Sequence, residues 1–349
     1  MNRWHTSTSV EVLTEIWQRV LQRSPINSED NFFALGGNDS LADSLFAEIA
    51  QVCGRELPSA TVYRAPTIVT LAALLELPTL PWFSPFVQLK AGSEYPPILI
   101  APGLGGRDSF SQLAKHIQTG HPIYRIQARG VDGMEKPFER IEDMAEFYLG
   151  ALNQLQPHGP YILVGYSFGG LLALEMAQRL SAGGKEVALL TLLGTYAHPR
   201  YFPPVQRLRL IAKRTRNRIS FMKRTPILAA FSHFVRALER RSRVARAHHR
   251  TPSTEISRLS FAQNFLRVEA SDSVALARYR PRFYRGKIRF VRPEIDHYFP
   301  SDPATLWKGL AAELEVENVP CNHAGLISTH CETLAAVLTR YVREAVDAK

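Results

Sequence analysis

The stretch YILVGYSFGGLLALEMA (residues 161–177) joins two different apolar patterns at one serine. Its first part, 161–165, is a short apolar run of the kind that forms a buried parallel strand. A helical pattern begins directly after Ser167, and Gly165 and Gly169 flank that serine. This is G-x-S-x-G in a strand–turn–helix context, where small neighbours permit a sharp turn that exposes the hydroxyl. We predict that Ser167 is a nucleophile; an ordinary αβ turn with an N-capping serine is the alternative.

A serine nucleophile needs backbone N–H groups that stabilise the negative oxygen formed in the transition state. The Phe168 N–H lies at the predicted start of the helix, where such a donor belongs. The second donor is expected in the loop after an earlier strand, and ILIAPGLGG (98–106) fits because its glycines let the backbone approach a substrate. We predict the Leu104 N–H as this donor, with a plain glycine-rich turn as the alternative.

The general base is expected late in the chain, because this kind of fold orders its catalytic residues as serine, acid, histidine. His323 lies in the loop PCNHAGL (320–326), after the apolar run 314–319 and before the last predicted helix. The sequence therefore predicts His323 as the residue that removes the proton of Ser167.

Residues 98–349 alternate apolar runs with helical patterns, which predicts an α/β domain with a largely parallel sheet. The predicted strands are 98–102, 122–128, 161–165, 187–193, 287–291 and 314–319. A basic, helical and amphipathic insertion over 200–270 interrupts this succession.

The N-terminal part of the chain follows a different pattern. Helical periodicities over 8–21, 39–54 and 67–76 predict a small helical bundle spanning 1–76. Residues 77–97 contain five prolines and no period, which is typical of a linker.

The net charge of +10 is unevenly distributed. Residues 1–76 hold 5 Lys/Arg and 9 Asp/Glu, whereas 200–250 hold 15 Lys/Arg and one glutamate. Three cysteines without a C-x-x-C pattern argue against a disulfide or zinc framework. No signal sequence and no 18-residue apolar run are present, so we expect a cytoplasmic protein without stable membrane insertion and without a metal.

Several segments resemble a known pair of domains. NFFALGGNDSLADSLFAEI (31–49) and LPSATVYRAPTIVTLAALLE (57–76) are similar to a peptidyl carrier domain. ILIAPGLGG, IYRIQARGVDG, the segment around Ser167 and VPCNHAGL are similar to a type I thioesterase. Together they resemble the carrier–thioesterase didomain that ends nonribosomal peptide synthetases and some polyketide synthases.

This resemblance implies an α/β-hydrolase with the 200–270 insertion as its lid, and a carrier bearing covalent 4′-phosphopantetheine on a serine. It implies transfer of an acyl or peptidyl group from the pantetheine thiol to Ser167, followed by hydrolysis or cyclisation. The expected partners are a phosphopantetheinyl transferase and an upstream synthetase or carrier that acts in trans, because no adenylation or condensation module is present. The alternatives are a catalytically impaired acyl-binding scaffold and a free-standing esterase.

The first departure from the family concerns the triad acid. Relatives usually have an aspartate where this chain has Gly194, before Thr195-Tyr196. An acid one strand later is one alternative, with Asp296 ahead of Glu294 there. A site without any acid is the other alternative and stays fully open, at a cost on the order of 10⁴ in turnover.

The second departure concerns the carrier motif LGG-x-S. Here the acceptor register holds Asp39, and Ser40 follows it, about 100° further around a helix. Either Ser40 carries phosphopantetheine after a local shift, or the carrier is silent and Asp39 caps the helix.

The basic segment 200–250 has several interpretations. We do not expect nucleic-acid binding, because no nucleic-acid motif is present and the apolar periodicity is regular. A membrane-surface helix and a simple solvated face stay open. The sharper hypothesis is that this lid docks the acidic carrier domain or the phosphate of a pantetheine arm.

Overall fold

The computed structural model describes residues 6–55, 57, 59, 61–76, 83–108, 110–133, 135–198, 202, 204–205, 207–208, 211–212, 215, 261–295 and 307–347.

The N-terminal part is a small helical domain. Its helices are α1 (Thr6–Leu21), α2 (Asp39–Cys53), α3 (Thr61–Arg64) and α4 (Ile68–Glu76). Apolar residues at helical spacing bury one face of each long helix; Trp17 is fully buried and its ring meets Phe32 edge-on at 5.3 Å. The three predicted helices are present, and the short α3 was not predicted.

The remainder is built around one seven-stranded sheet with the order β1-β3-β2-β4-β5-β6-β7. Its strands are β1 (Phe86–Lys90), β2 (Ile98–Ala101), β3 (Ile123–Ile126), β4 (Tyr161–Tyr166), β5 (Val187–Leu193), β6 (Tyr284–Pro293) and β7 (Ala311–Val319). Only β1 is antiparallel to its neighbour, and β2 to β7 are parallel. The uninterrupted burial of β2 and β4 follows from this, since helices cover both faces of a parallel sheet.

Helices pack on both faces of the sheet. They are α5 (Ser111–His116), α6 (Ile141–Leu155), α7 (Phe168–Ala182), α8 (Phe261–Arg278) and α9 (Cys331–Asp347). Buried residues of α6 and α7 form the apolar layer on one face, and those of α5 and α9 form the layer on the other. The predicted α/β class is therefore confirmed.

The interpretation of 77–97 as a linker needs a correction. Residues 86–90 form β1 and pair with β3 from Phe86 opposite Ile126 onwards, so they belong to the sheet. The prediction missed this strand because β1 is an edge strand with one fully buried side chain, Val87. Short edge strands of this kind carry only a weak periodic signal.

The helical domain packs against helix α8 of the larger domain. The rings of Tyr63 in α3 and Phe265 in α8 lie 5.2 Å apart, and the Arg125 guanidinium lies 5.7 Å from the Tyr63 ring centre. Val268 joins the same apolar cluster as the core of the helical domain. One side of α8 is thus buried by the N-terminal domain.

Candidate active site

Ser167 lies on the sharp turn between β4 and α7. Its φ of 54° and ψ of −117° are unusual for a residue with a side chain, and such backbone strain concentrates at functional sites. The turn is held because the Ser167 N–H donates to the Leu193 carbonyl of β5 at 2.9 Å. The predicted strand–serine–helix geometry is present.

The glycines around Ser167 are required by close backbone packing. A Cβ on Gly165 would overlap the α carbon of Gly170, and a Cβ on Gly169 would overlap the carbonyl oxygens of Ala101 and Pro102. Helix α7 therefore starts directly against the end of β2. This contact brings the Phe168 N–H, at the first residue of α7, next to the loop that follows β2.

The loop after β2 contains a short 3₁₀ turn at Leu104–Gly106. Most of its backbone N–H groups donate hydrogen bonds within the protein. The Gly103 N–H donates to Asp108 Oδ2 at 2.7 Å, and the Gly105 N–H donates to Asp272 Oδ2 at 2.9 Å. The Gly106 N–H donates to the Gly103 carbonyl at 3.1 Å. Three of the four N–H groups from 103 to 106 are thus engaged, which favours Leu104 as the donor toward a substrate.

Buried charged side chains hold this loop. Arg125 is 2% exposed and donates to the Gly106 carbonyl at 3.1 Å, and burial lowers its pKa to about 10. Burial raises the pKa of Asp108 despite the Gly103 N–H bond. Burial also raises the pKa of Asp272 to about 7; the Gly105 N–H bond opposes this and the charge of Glu269 adds to it.

A small cavity of about 30 Å³ lies beside the loop and the start of α7. Pro102, Gly103, Phe168, Leu172 and Asp272 are among its lining residues. Most of the lining is apolar, and the cavity brings the buried Asp272 carboxyl group close to Phe168 and to the glycine loop.

His323 lies beside the serine turn. Its ring stacks on the Tyr166 ring with centroids 4.9 Å apart, and the Tyr166 hydroxyl donates to the His323 carbonyl at 3.1 Å. Because Tyr166 immediately precedes Ser167, these two contacts fix the histidine next to the turn. The chain after His323 continues into a 3₁₀ turn at Ala324–Ile327.

Gly194 faces the histidine ring directly. A Cβ at this position would lie 2.7 Å from Nδ1 of His323 and 2.9 Å from Cε1. The Gly194 N–H donates to the Val291 carbonyl of β6 at 2.9 Å, and its φ is 54°. The position expected to hold the triad acid thus faces the correct nitrogen without supplying a carboxylate.

The two predicted substitute acids follow β6. Glu294 is exposed; its N–H donates to the Val319 carbonyl, and the Ile295 N–H donates to the Cys321 carbonyl, both at 2.9 Å. The charge of Glu294 adds to burial in raising the pKa of Cys321. Asp296 lies outside the described residues.

The carrier motif starts helix α2. Asn38 is its N-cap, because the Asn38 side chain accepts from the N–H groups of Ser40 and Leu41 at 3.1 Å each. The expectation that Asp39 caps this helix is therefore wrong; Asp39 is its first residue. Ser40 follows in the first turn and is exposed. Gly37 is required because a Cβ there would overlap the Phe32 ring.

Most of the basic segment 200–250 lies outside the described residues, including 216–250. Of its described part, Val205, Leu208 and Ile211 are 59–68% exposed. No helix described for this chain combines the length and apolarity needed to cross a bilayer. The described residues contain no group of three or more His, Cys, Asp or Glu side chains that could hold a metal ion.

Sequence reasoning missed the residues that support the site. Asp108, Arg125 and Asp272 hold the loop around Leu104, and Tyr166 supports His323. Tyr166 lies inside the G-x-S-x-G motif and Asp108 follows the glycine loop, so proximity in sequence could have indicated both. Asp272 lies 167 residues from its partner Gly105, and no local pattern links the two.

Two family models match the chain. The thioesterase domain model matches residues 97–341, and the phosphopantetheine attachment site model matches residues 11–75. The first covers the sheet domain with Ser167 and His323, and the second covers the helical domain with Ser40.

Parts of two longer synthetases are similar to this chain. The dimodular nonribosomal peptide synthase of Bacillus subtilis is 28% identical over 328 residues, which are 90% of this chain and 13% of that protein. Indigoidine synthase of Dickeya dadantii is 39% identical over 179 residues, 51% of this chain and 12% of that protein. This chain thus spans about an eighth of each of these relatives.

Two solved structures share the fold. Holo-AB3403, a four-domain nonribosomal peptide synthetase, is similar over 99% of this chain and 26% of its own, with a TM-score of 0.54 and 20% identity. The type II thioesterase BorB is similar over 74% of this chain and 97% of its own, with a TM-score of 0.51 and 20% identity. At this identity the likeness concerns the fold. With a family match over more than half of its length, the chain belongs to the thioesterase domain family, preceded here by a domain of the phosphopantetheine-attachment family.

Proposed function

We propose that this chain releases an acyl or peptidyl group from a phosphopantetheine thioester through an ester on Ser167. The observation that supports this most is the position of Ser167, on a strained turn between the His323–Tyr166 stack and the glycine loop. Around this serine, the proposal assigns His323 as general base and the N–H groups of Phe168 and Leu104 as oxyanion donors.

In the first step, Ser167 Oγ attacks the thioester carbonyl and His323 accepts the hydroxyl proton. The carbonyl oxygen becomes negative and accepts hydrogen bonds from Phe168 and Leu104. The tetrahedral intermediate then collapses, the C–S bond breaks, and the thiolate takes the proton from His323. The products are a free thiol and an acyl ester on Ser167.

In the second step, a water or a nucleophile of the acyl chain attacks the ester while His323 removes its proton. Collapse of this intermediate returns the proton to Ser167 Oγ. Water gives a carboxylic acid, and an internal amine or hydroxyl gives a ring. Both outcomes use the same groups of this chain, so the choice between them depends on the shape of the acyl chain and on access of water.

The proposal assigns Asp296 as the acid that orients His323. The backbone just before it, Glu294 and Ile295, is bonded to Val319 and Cys321, and Cys321 lies two residues before His323. Asp296 directly follows Ile295 in the sequence, which supports its assignment. Glu294 is the second choice.

Ser40 is the proposed attachment site of 4′-phosphopantetheine. Its exposed hydroxyl in the first turn of a capped helix fits the chemistry of the transferase reaction, whereas the carboxylate of Asp39 cannot accept the group. When bound, the group supplies the thiol that carries the acyl chain. The proposed partners are a phosphopantetheinyl transferase and synthetase modules or carriers that deliver acyl chains in trans.

The names of the relatives suggest the biological setting. The proposal places the reaction in nonribosomal peptide or polyketide biosynthesis, because the Bacillus relative is a nonribosomal peptide synthase. It places the reaction in the cytoplasm, since the three cysteines are free and a reducing compartment preserves thiols.

One observation favours a second candidate, a catalytically impaired module that holds acyl chains. Gly194 supplies no carboxylate to the nitrogen that it faces, and a missing acid costs on the order of 10⁴ in turnover. This candidate predicts that an acyl group is accepted by Ser167 and then retained for hours.

The experiment compares an acyl N-acetylcysteamine thioester with the oxoester of the same acyl group. The proposed function predicts release from the thioester, a clear preference over the oxoester, and loss of both activities in Ser167→Ala. Equal rates would favour a general esterase, and a stable acyl adduct without release would favour the impaired module. Labelling by a fluorophosphonate on the unmodified chain but not on Ser167→Ala controls for an accessible nucleophile.

A further inference from the structure

We infer that Asp272 is a positioning residue of the thioesterase site: through the Gly105 N–H, it fixes the peptide group that presents the Leu104 N–H to the oxyanion. This inference rests on the proposed function. Asp272 does not touch the reacting atoms, and it acts through the loop.

The contact joins two distant parts of the chain. Asp272 lies on α8, 167 residues after Gly105, and accepts from the Gly105 N–H at 2.9 Å. Its side chain is buried, with the residue 5% exposed. A buried carboxyl group in a largely apolar cavity is costly unless it is hydrogen-bonded, so the contact is a specific feature of the fold.

The position of the bond explains its effect on Leu104. The Gly103 N–H is held by Asp108 and the Gly105 N–H by Asp272. The peptide group that carries the Leu104 N–H lies between these two fixed peptide groups. The Leu104 peptide group is also held through its own carbonyl, that of Gly103, which accepts from the Gly106 N–H at 3.1 Å. Loss of Asp272 frees the Gly105 end of this short turn, which loosens the Leu104 donor, and an oxyanion donor is effective only when it is oriented beforehand.

Gly105 itself cannot supply this rigidity. Its φ of 79° lies in the region that glycine adopts readily, so its backbone has more freedom than that of other residues. On the far side, Arg125 holds the Gly106 carbonyl. Among these anchors, Asp272 alone comes from α8, the helix whose other side packs on Tyr63 of the N-terminal domain.

The chemistry of the side chain predicts an order among substitutions. Asparagine keeps an acceptor oxygen of the same shape but cannot ionise. At an assay pH at which Asp272 is ionised, its hydrogen bond is about twice as strong as one to a neutral acceptor. Alanine removes the acceptor. We therefore expect kcat to decrease from Asp272 to Asp272→Asn to Asp272→Ala.

The test measures steady-state thioester hydrolysis and amide hydrogen exchange of the peptide that contains Gly105, on the full chain. Asp272→Ala should lower kcat by about 10²-fold, the scale of losing one oxyanion donor, with KM changed less than about two-fold. Amide exchange at Gly105 should become faster. Asp272→Asn should lower kcat by about 10-fold, midway on a logarithmic scale between the unmodified chain and Asp272→Ala. Ser273→Ala is the matched control, because the neighbouring Ser273 is exposed and its hydroxyl donates to the Glu269 carbonyl of the same helix.

Three results would overturn the inference: an unchanged kcat in Asp272→Ala, a loss of kcat with unchanged exchange at Gly105, or an asparagine variant no better than alanine. If Asp272→Ala does not fold, Asp272→Asn carries the test through its smaller loss of kcat and its faster exchange at Gly105. Failure of the proposed function gives a different result, since the unmodified chain would then neither hydrolyse the thioester nor react with a fluorophosphonate. The exchange measurement would still report on the loop contact.

Discussion

The α carbon of Gly194 lies so close to His323 that a Cβ on Gly194 would be 2.7 Å from Nδ1 of the histidine. The imidazole therefore packs against the position where the resemblance to thioesterases implies an aspartate. Because the Nδ1–Cε1 edge of the ring meets this position, a carboxylate introduced at 194 would lie beside the histidine, whereas glycine supplies none.

In an Asp296→Asn background, an acid placed at position 194 should restore turnover. Aspartate tolerates the φ of 54° at Gly194 better than most residues. Its Cβ requires the His323 ring to shift slightly while it keeps its stacking on Tyr166. The Gly194→Asp variant should have a kcat at least about 10²-fold above that of Gly194→Asn, since the amide favours the wrong tautomer of the histidine. Steady-state hydrolysis of an acyl thioester measures this ratio.

The asparagine variant is the matched control because it has the same size and the same backbone strain. Equal kcat values for the two variants would mean that a charge at 194 does not reach the histidine. The orientation that we assign to the His323 ring would then be wrong.

A substitute acid after β6 gives a separate prediction. Asp296→Asn should lower kcat by about 10²–10⁴-fold, because the imidazolium formed during catalysis loses its compensating charge. Glu294→Gln should change kcat less than about three-fold, since Glu294 is exposed. If both variants keep the full rate, the site works without an acid from this loop.

Carrier modification tests the register of the LGG motif. Incubation with coenzyme A and a promiscuous phosphopantetheinyl transferase should add one phosphopantetheine, seen as a gain in intact mass, and Ser40→Ala should abolish the gain. Ser44→Ala is the control, since Ser44 lies one turn later and bonds to the Ser40 carbonyl. A mass gain that persists in Ser40→Ala would remove Ser40 as the site, and no gain in any variant would indicate a silent carrier.

Asp272 should make stability depend on pH. Burial raises its pKa from 3.8 to about 7, so between these values the folded chain binds more protons than the unfolded chain. The stability contributed by this group is complete at low pH, decreases as the pH rises through this window, and is constant above it. Asp272→Asn does not titrate, so its melting temperature should rise relative to that of the unmodified chain between about pH 4 and pH 8.

Other titratable groups lie near Asp272 and are present in both proteins. Glu269 lies one turn earlier on α8, Tyr148 faces Asp272 from α6, and Arg129 lines the same cavity. Subtracting the melting temperature of the unmodified chain from that of Asp272→Asn at each pH removes the contribution that these groups make to both proteins. A difference independent of pH would show that Asp272 keeps its charge across this range.

The core of the site could be predicted from local sequence. The strand before Ser167 and the helix after it have distinct apolar periods, and the glycines at 165 and 169 report directly on backbone contacts too close for a side chain. Such features are encoded within a few residues. The parallel strands can be predicted in the same way, because burial on both faces of the sheet produces uninterrupted apolar runs.

The supporting contacts were not readable from sequence. Asp272 and Gly105 lie 167 residues apart in the chain, and one sequence carries no signal for that pairing. Strand β1 is short and half-buried, so the nearby prolines dominated its pattern. The N-cap was misassigned by one residue because both Asn38 and Asp39 are good capping residues, and the backbone geometry decides between them.

The central claim is that the Ser167 hydroxyl attacks an acyl thioester, and intact-mass spectrometry tests it most directly. The full chain is mixed with each member of a panel of acyl N-acetylcysteamine thioesters, and the reaction is quenched at short times. The intact mass is then measured, and peptide mapping locates any adduct. The account predicts a single acyl adduct on the peptide that contains Ser167, decaying with time and absent from Ser167→Ala. An adduct of equal yield in Ser167→Ala, or turnover without any contribution from this serine, would contradict it.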